Sequence, residues 1–478
     1  MDVREALNKM KPPVMFLDDD RERELRLCFL VYLIYKLGHH ASVAALACAE
    51  WGTEFDDIED EVETQVTGNS CSLRANPHRP FSHIFKSTEK QKHDKNVAGD
   101  FSFDPEPEAG SSKIDEDATK HSRPAVRDGA TGDVIVVMEE HAGGVTSVAC
   151  SPDGRFIASG SEDTNIILWD GITGDFITTL TDHQDAVWTI TFSPDGRLLA
   201  SGSGDGVAYI WNIEDIGSCS STPLGAHNGV VQTMVFSPDG NKLVTSCVDF
   251  VLRLWDMRSG GTLLHTLGEH APEGHTSVVM AAVISPDSKL VGSCAADRTA
   301  KIWDAETGSL LHTLSGHTGI VWSLAFSPDS ARVVTGSDDT IARVWSVGTG
   351  EELVTLREHH GSVWAVAFSP DGKQVLTASN DATIKVCDSF SGERAHAFQR
   401  HDTVANAAVF SPDGSLIASS AGDNSVVAWS AVTGKPVATL NGHLDKVTGV
   451  IFTPDGDRLV SCSDDGSVRI WTLPEVRQ

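Results

Sequence analysis

Histidine and aspartate recur as pairs in the second part of this 478-residue chain, always 22 residues apart. Imidazole and carboxylate groups serve proteins in general acid–base catalysis and as ligands for transition metals. One catalytic or metal site needs one such set, whereas this chain repeats the pair eight times. The repetition therefore indicates a unit that is copied along the chain rather than a single reactive centre.

Three residue types keep this period throughout the repeated part of the chain. The histidines are His141, His183, His227, His275, His317, His359, His401 and His443. The aspartates are Asp163, Asp205, Asp249, Asp297, Asp339, Asp381, Asp423 and Asp465. Six residues after each aspartate stands a tryptophan, or in one copy a cysteine: Trp169, Trp211, Trp255, Trp303, Trp345, Cys387, Trp429 and Trp471. A period of 20–50 residues is typical of stacked or circular repeat architectures.

The spacing of the last series also shows where residues are inserted. Successive members lie 42, 44, 48, 42, 42, 42 and 42 residues apart. We assign the extra residues to two loops, each leading from one copy into the next: Ser218–Pro223 before His227 and Glu269–Glu273 before His275.

Each copy reads as four short strands separated by turns. In the fifth copy the runs are Val321–Phe326, Arg332–Gly336, Ile341–Trp345 and Glu352–Leu356. Ser-Pro-Asp, Asp-Asp and Thr-Gly stand between these runs, and such residues favour turn conformations. Four strands without helical periodicity predict one antiparallel sheet per copy.

These units resemble the WD40 repeat over about residues 131–478. The resemblance implies an all-β fold, a β-propeller with one four-stranded sheet in each blade. The last copy stops after its third strand, and the run Val134–Met138 before the first copy can supply the missing strand. We therefore expect eight complete blades, with seven blades and a leftover unit as the alternative.

The resemblance also implies a role for the three recurring residue types. In the WD40 family the histidine, the aspartate, the tryptophan and a Ser or Thr of the second strand form a buried hydrogen-bonded network. We therefore expect the His, Asp and Trp series to be structural, with no catalytic residue, metal ligand or cofactor among them. Cys387 departs from the pattern and should weaken the network of its blade.

Candidate partner-binding residues follow from the same resemblance, because the loops between blades open onto the narrower face, the usual docking surface of the family. The residue five positions after each histidine opens the first strand at that face, and the residue before each turn aspartate reaches the same rim. Aromatic side chains ringed by polar groups are typical of binding hot spots. The alternative is that these tryptophans pack between blades. The candidates are Trp188, Ile320, Trp322, Asp338, Trp364 and Asn380.

Charge narrows the class of partner. The chain carries 67 acidic and 37 basic residues, a formal net charge of −30. Residues 131–478 hold 42 of the acids and 20 of the bases, a difference of −22. A surface this acidic disfavours direct binding to nucleic acid or to anionic membranes. It suits basic segments of partner proteins, although acidity that only maintains solubility is the alternative.

The first 131 residues divide into two predicted parts ahead of the propeller at 132–478. Residues 1–53 read as a helical segment in which Leu33–Gly38, Ala44, Leu46 and Glu50 resemble a LisH motif, a dimerisation element. Dimerisation would then run through residues 20–50. Its apolar core, Leu27–Tyr35, is nine residues long, too short to span a bilayer. Residues 54–131 combine dense charge with low hydrophobicity and predict an acidic disordered linker.

Nine scattered cysteines without a CxxC pair predict reduced thiols in an intracellular protein, cytoplasmic or nuclear. The chain carries no Walker, GxSxG, HExxH or kinase motif. We expect a non-catalytic protein-interaction scaffold that assembles a multiprotein complex, with a transcription or chromatin co-regulator favoured. A ubiquitin-ligase substrate receptor or a signalling adaptor is the alternative, and an enzyme with its site at the central channel is less favoured.

Overall fold

The computed structural model describes residues 134–473 except 215, 226 and 269–273. Strand β1 (Val134–Met138) comes first and is followed by eight repeated units, here called blades one to eight. Blade one contains β2 (Val145–Cys150), β3 (Phe156–Ser161), β4 (Ile166–Asp170) and β5 (Phe176–Leu180). Blade two contains β6 (Val187–Phe192), β7 (Leu198–Ser203), β8 (Ala208–Asn212), the 3₁₀ helix Ile216–Ser218 and β9 (Ser220–Leu224). Blade three contains β10 (Val231–Phe236), β11 (Lys242–Cys247), β12 (Leu252–Asp256) and β13 (Thr262–Leu267).

The remaining blades keep the same order of strands. Blade four contains β14 (Val279–Ile284), β15 (Leu290–Ala295), β16 (Thr299–Asp304) and β17 (Leu310–Ser315). Blade five contains β18 (Val321–Phe326), β19 (Arg332–Ser337), β20 (Ala342–Ser346) and β21 (Glu352–Leu356). Blade six contains β22 (Val363–Phe368), β23 (Gln374–Ser379), β24 (Thr383–Asp388) and β25 (Arg394–Gln399). Blade seven contains β26 (Ala405–Phe410), β27 (Leu416–Ala421), β28 (Ser425–Ser430) and β29 (Pro436–Asn441). Blade eight contains β30 (Val447–Phe452), β31 (Arg458–Ser463) and β32 (Val468–Thr472).

The blades close into a ring. Blade eight takes its fourth strand from the start of the described chain, because β1 pairs with β32 in the sheet order β1-β32-β31-β30. The first strands of neighbouring blades contact one another in order around the ring, and β30 contacts β2. The prediction of eight four-stranded blades is confirmed, and the seven-blade alternative is wrong. Pairing the two ends of the propeller gives blade eight the same outer edge strand as the other blades, and the first strands form the inner edges around the centre of the ring.

The loops and turns define two faces. On one face the loop between blades meets the turn between the second and third strands, as where the Glu162 N–H donates to the Gly144 carbonyl at 2.9 Å. On the other face the Ser-Pro-Asp turn meets the turn between the third and fourth strands, as where the Gly171 N–H donates to the Arg155 carbonyl at 2.7 Å. We call these the His–Asp face and the Ser-Pro-Asp face.

The first predicted insertion lies on a different face from the one expected. Our assignment of Ser218–Pro223 to a loop between blades is wrong, because Ser220–Leu224 forms β9 and pairs along β8. The extra residues of blade two lie between β8 and β9, on the Ser-Pro-Asp face. Pro223 fits an outer strand because the missing N–H is not needed there. The second insertion, Glu269–Glu273, falls between β13 and β14 but outside the described residues.

Blade four shows the hydrogen-bonded network in its complete form. His275 Nδ1 lies 2.8 Å from Asp297 Oδ2, and His275 Nε2 lies 2.8 Å from Ser293 Oγ. Trp303 Nε1 donates to the same hydroxyl oxygen at 2.9 Å. An ionised carboxylate can only accept, so the proton of a neutral imidazole must sit on Nδ1 and point to Asp297, and Nε2 then accepts the hydroxyl proton of Ser293. The carboxylate thereby fixes the histidine tautomer.

The charge state of this network follows from its burial and its hydrogen bonds. Burial lowers the pKa of His275, against the opposing pull of Asp297. Burial alone would raise the pKa of Asp297, but hydrogen bonds from His275, Thr299 and the Thr276 N–H outweigh it and lower that pKa to about 2. The pair is therefore a neutral imidazole against an ionised carboxylate at neutral pH. The carboxylate also binds the Thr276 and Thr299 N–H groups and so ties the loop between blades to the next turn.

Blade three lacks the bond between histidine and aspartate. The carboxylate of Asp249 instead receives the guanidinium of Arg253, at 2.7 and 3.4 Å. His227 Nδ1 is buried and has no hydrogen-bond partner, although Nε2 still meets Thr245 Oγ1 at 2.8 Å. The expectation that every aspartate pairs with its histidine is therefore wrong for this blade, because a two-pronged guanidinium is the stronger partner for a carboxylate. Burial, followed by the Arg253 charge, lowers the pKa of His227 to about 4.

Blade six lacks the tryptophan. Thr377 Oγ1 keeps its contact with His359 Nε2 at 2.8 Å. The position of the indole is taken by Cys387, which is buried among Val334, Val375 and other side chains. The hydroxyl of Thr377 therefore serves one partner fewer than the equivalent hydroxyl of Thr335 in blade five, which meets both His317 and Trp345.

This difference gives a matched pair of substitutions. Thr→Val keeps the side-chain shape and removes the hydroxyl, so T335V leaves two buried groups without a partner and T377V leaves one. A buried polar group without a partner costs about 1–3 kcal/mol. We therefore expect T335V to lower the free energy of unfolding by about 1–3 kcal/mol more than T377V, measured by urea unfolding. Equal losses would mean that the indole N–H contributes nothing to the network.

The unpartnered His227 predicts a pH dependence. Its pKa is about 4 in the folded protein and about 6.5 in an unfolded chain. Between these two pKa values the unfolded state binds more protons than the folded state. The contribution of neutral His227 to the free energy of unfolding is therefore complete above pH 6.5 and is lost as the pH falls towards 4. In this pH window the free energy of unfolding of the wild type should fall by up to about 1.4 kcal/mol more per pH unit than that of the variant H227Q. Parallel pH profiles from urea unfolding would contradict the shifted pKa.

Candidate protein-binding face

The first strand of every blade carries a β-bulge at the residue five positions after the histidine. In blade five the pairing of β18 with β19 passes from Val321 to Ser323 and skips Trp322. A bulge turns its side chain away from the regular alternation of the strand. The bulged residues, all buried, are Thr146, Trp188, Gln232, Met280, Trp322, Trp364, Asn406 and Thr448.

Polar bulge residues bind the neighbouring blade. Asn406 Nδ2 donates to the Val447 carbonyl at 2.9 Å, and Thr448 Oγ1 donates to the Val145 carbonyl at 2.6 Å. Thr146 Oγ1 donates in the same way to the Val187 carbonyl. The bulge therefore aims each of these side chains at the first strand of the next blade, and the bonds join blades seven, eight, one and two across the closure of the ring.

The candidate tryptophans occupy the same bulge positions and are buried. Trp322 and Trp364 are each 4% exposed, and their ring centroids lie 6.5 Å apart at an interplanar angle of 54°. They pack in one cluster with Val278, Met280 and Val404. Trp188 is 9% exposed and belongs to a separate cluster with Ala186 and Val230. Little indole surface is therefore open to a partner in this conformation.

Polar groups cover the tryptophan pair at the rim. Asp338 Oδ1 accepts a hydrogen bond from Trp322 Nε1 at 3.4 Å and another from the Ser362 hydroxyl. The Asp338 N–H donates to the Ile320 carbonyl at 2.8 Å, and the Asn380 N–H donates to the Ser362 carbonyl at 2.9 Å. Asp338, Asn380 and Ile320 are all partly exposed. Five of the six candidate residues thus come together on blades five and six, and Trp188 does not join them.

A second ring of rim residues lies three positions after each histidine, and only its member Ile320 was predicted from the sequence. In every blade the carbonyl of this residue accepts the N–H of the residue before the turn aspartate. The members in blades two to five and in blade seven are apolar: Ala186, Val230, Val278, Ile320 and Val404, with Val248 and Ala296 across from them. The other three are Ser362 in blade six, Gly144 in blade one and Lys446 in blade eight, which lies 2.8 Å from Asp464. Aligning the copies on the histidine would have revealed this series.

Among the residues that the structure describes, no three His, Cys, Asp or Glu side chains are grouped to hold a metal ion. No helix within residues 134–473, as far as they are described, is long and apolar enough to cross a membrane. The carboxylates with lowered pKa values lie in the networks or in the turns, where hydrogen bonds from Ser, Thr, His or backbone N–H groups hold them ionised.

Gln232 is the bulge residue of β10 in blade three, and it is buried without any hydrogen-bond partner for either amide atom. Met280 fills the equivalent position in blade four. We expect Q232M to raise the free energy of unfolding by about 1–3 kcal/mol, because it removes an unsatisfied amide. The reverse exchange, M280Q, should lower it by a similar amount. Urea unfolding of both variants tests this, and a destabilised Q232M would show that the amide is bound in solution.

Comparison with known proteins agrees with this architecture. The family model described as "WD domain, G-beta repeat" matches residues 132–170, 174–212, 217–256, 261–304, 308–346, 350–388, 392–430 and 434–472. A crystal structure of the computationally designed Ika8 protein is similar, with a TM-score of 0.64 and 29% identity over 71% of this chain and 100% of that chain. No curated protein matches. Because the matched repeats make up more than half of its residues, the chain belongs to the WD40 family.

Proposed function

We propose that this protein is a non-catalytic scaffold that docks basic segments of partner proteins on the His–Asp face and so assembles a multiprotein complex. WD40 propellers generally serve as protein-interaction scaffolds. The observation that carries the proposal is the rim of blades five and six. There a partly exposed acid and amide, Asp338 and Asn380, stand above a buried tryptophan pair, beside the partly exposed Ile320.

The physical argument is that this rim combines rigidity with complementary chemistry. The tryptophan pair and the bonds to Asp338 hold the rim in place, so a partner does not have to order it on binding. Ile320 offers apolar contact, and Asp338 offers a carboxylate to a lysine or arginine. The surplus of acidic residues in the propeller would steer a basic segment towards this face.

The absence of catalysis is part of the proposal. It is supported by the carboxylates whose pKa values are lowered, such as those of Asp297 and Asp329, because they accept hydrogen bonds that stabilise the fold. An intracellular location is proposed as well, and nine cysteines scattered along the chain without a CxxC pair support it. More specifically, we propose that the protein is a subunit of a transcription or chromatin co-regulator. This proposal depends on residues 20–50, which lie outside the described part of the chain, and so does the predicted dimerisation.

A pair of substitutions on the His–Asp face tests where partners dock. Ile320 lies at the proposed rim, and Leu444, 84% exposed, lies on the same face in blade eight. I320K and L444K both replace an apolar side chain by a lysine, so any effect of net charge on a basic partner is the same. We expect I320K to weaken affinity capture of partners from cell extract about tenfold or more, as for a hot spot, and L444K to leave it unchanged.

The readout is quantitative mass spectrometry of captured proteins, with the melting temperature of each variant as a control for folding. Capture should also weaken at high salt, since the proposed partner is basic. Equal losses in the two variants would contradict a site on blades five and six. Loss in L444K alone would move the site to blade eight. The identity of the captured proteins distinguishes a co-regulator from a ligase receptor or a signalling adaptor.

A further inference from the structure

The centre of the Ser-Pro-Asp face holds an apolar cavity of about 620 Å³. Its wall is formed by the last residues of four innermost strands, together with exposed prolines of the Ser-Pro-Asp turns such as Pro370 and Pro412. We call this cavity the phenylalanine funnel after the four side chains Phe326, Phe368, Phe410 and Phe452. Its volume lies within the range of about 300–1,000 Å³ that is typical of ligand pockets.

The funnel occupies only one half of the ring. Phe326, Phe368, Phe410 and Phe452, on blades five to eight, are partly exposed. The equivalent Phe192 and Phe236 of blades two and three are only 7% and 6% exposed. Partly exposed aromatic side chains around a concave centre are typical of a surface that another apolar group covers.

Exposed aspartates surround the funnel. Asp329, Asp371, Asp413 and Asp455 belong to the Ser-Pro-Asp turns of the same four blades and are exposed. In each, Oδ1 accepts the hydroxyl of the Ser or Thr that begins the turn.

Three cations stand among these aspartates. Lys373 Nζ lies 3.2 Å from Asp371 Oδ2, and Arg458 lies near Asp455. Arg332 is buried, stacks on Phe390 at 4.0 Å and bonds Ser389 and Gly372. Among the described residues, Asp413 has no cation within ion-pair distance. With Asp457 counted, acidic side chains outnumber basic ones around the funnel. A segment that carries basic residues would therefore be favoured there.

The chain enters the propeller on this same face. Val134, at the start of β1, pairs with Trp471 as Phe176 of β5 pairs with Trp169. Phe176 follows the turn between the third and fourth strands, which lies on the Ser-Pro-Asp face. Residues 1–133 are therefore attached at that face, on blade eight, whose Ile451 and Phe452 line the funnel.

The preceding residues contain one segment of matching chemistry. Leu27–Tyr35 is an uninterrupted apolar run that Arg26 and Lys36 bound directly, and these two cations are its basic flank. Residues 25–37 contain no acid, whereas Asp18–Asp20, Glu22 and Glu24 lie farther upstream with Arg21 and Arg23. Such a run gains free energy by leaving water, and its basic flank suits the aspartates around the funnel.

The tether is long enough to place this segment in the funnel. Residues 38–133 make up 96 residues, and a random coil of that length spans about 50–60 Å. Crossing a blade from its fourth strand to its first takes three strand spacings, about 15 Å. A tethered segment also binds at a high effective concentration, which rises to about millimolar for short flexible linkers.

We propose that the phenylalanine funnel is the docking site for the chain's own segment, residues 25–37, with apolar side chains in the cavity and the basic flank against the aspartates. This surface lies opposite the face proposed for partner proteins, so the two proposals stand or fall separately. The segment presents more apolar residues than the cavity admits, so a few side chains would enter it and the rest would lie on the surrounding prolines.

Hydrogen–deuterium exchange on the full-length chain tests the docking. The variant L30D/I34D places two charges in the apolar run, whereas V62D/V66D places the same charges at the same spacing in the predicted linker. We expect L30D/I34D to speed exchange in peptides covering 326–330, 368–372 and 410–414 about tenfold, as for a docked state favoured about ten to one. Peptides covering 151–155 and 193–197 should not change. Unchanged exchange at the funnel, or an equal change with V62D/V66D, would overturn the proposal.

A second experiment changes the funnel instead of the segment, by replacing prolines at its wall with arginine. P370R/P412R adds two positive charges beside the funnel, and P152R/P194R adds them at equivalent exposed turns of blades one and two. In the wild type, an amine-reactive reagent should cross-link Lys36 to Lys373. We expect at least about a threefold loss of this cross-link in P370R/P412R, from like-charge repulsion, and none in P152R/P194R.

Mixing isotopically labelled and unlabelled chains identifies whose segment is docked. The proposal predicts cross-links between Lys36 and Lys373 within one chain. Cross-links only between labelled and unlabelled chains would overturn it in favour of a second copy. No such cross-link, together with exchange at the funnel that depends on added cell extract, would overturn it in favour of a separate partner.

Discussion

The pairing of β1 with β32 is the constraint on which the rest of this molecule depends. It joins residues more than 300 positions apart and turns a row of sheets into a closed ring. Closure brings Val145 of blade one to Thr448 of blade eight, and it gives every first strand two neighbours. The inner rim, the central cavity and the two faces exist only because the ring is closed, since each is built from residues of several blades.

The repeated network holds each blade, and its variations show what the network does. In blade four the carboxylate of Asp297 fixes the histidine tautomer, and the hydroxyl of Ser293 links the two rings by accepting from the indole and donating to the imidazole. Blade six keeps its histidine bond without the indole, and blade three keeps its indole bond without the aspartate. The individual hydrogen bonds of the network therefore form independently of one another. A propeller with several complete blades tolerates incomplete ones because each blade packs on two neighbours.

The two faces carry different chemistry for one reason, the direction of the first strands. Their beginnings carry the bulge that buries tryptophans and threonines between blades, so the His–Asp face has a rigid rim with few exposed apolar atoms. Their ends carry the phenylalanines, which remain partly exposed where four adjacent blades meet. The rim of blades five and six and the phenylalanine funnel thus lie at opposite ends of the same strands, such as β18 and β22.

The sequence by itself determined the repeat, the four strands of each blade and the eightfold count, because turn residues and apolar alternation are local and recur eight times. It did not determine the partners within blade three. Arg253 and Arg343 hold equivalent positions, yet Arg253 removes Asp249 from His227 while Asp339 keeps His317. Nor did it determine that Trp322 and Trp364 are buried, or that Ser220–Leu224 is an outer strand. Burial and side-chain partners depend on contacts between blades, and those contacts exist only after the ring has closed.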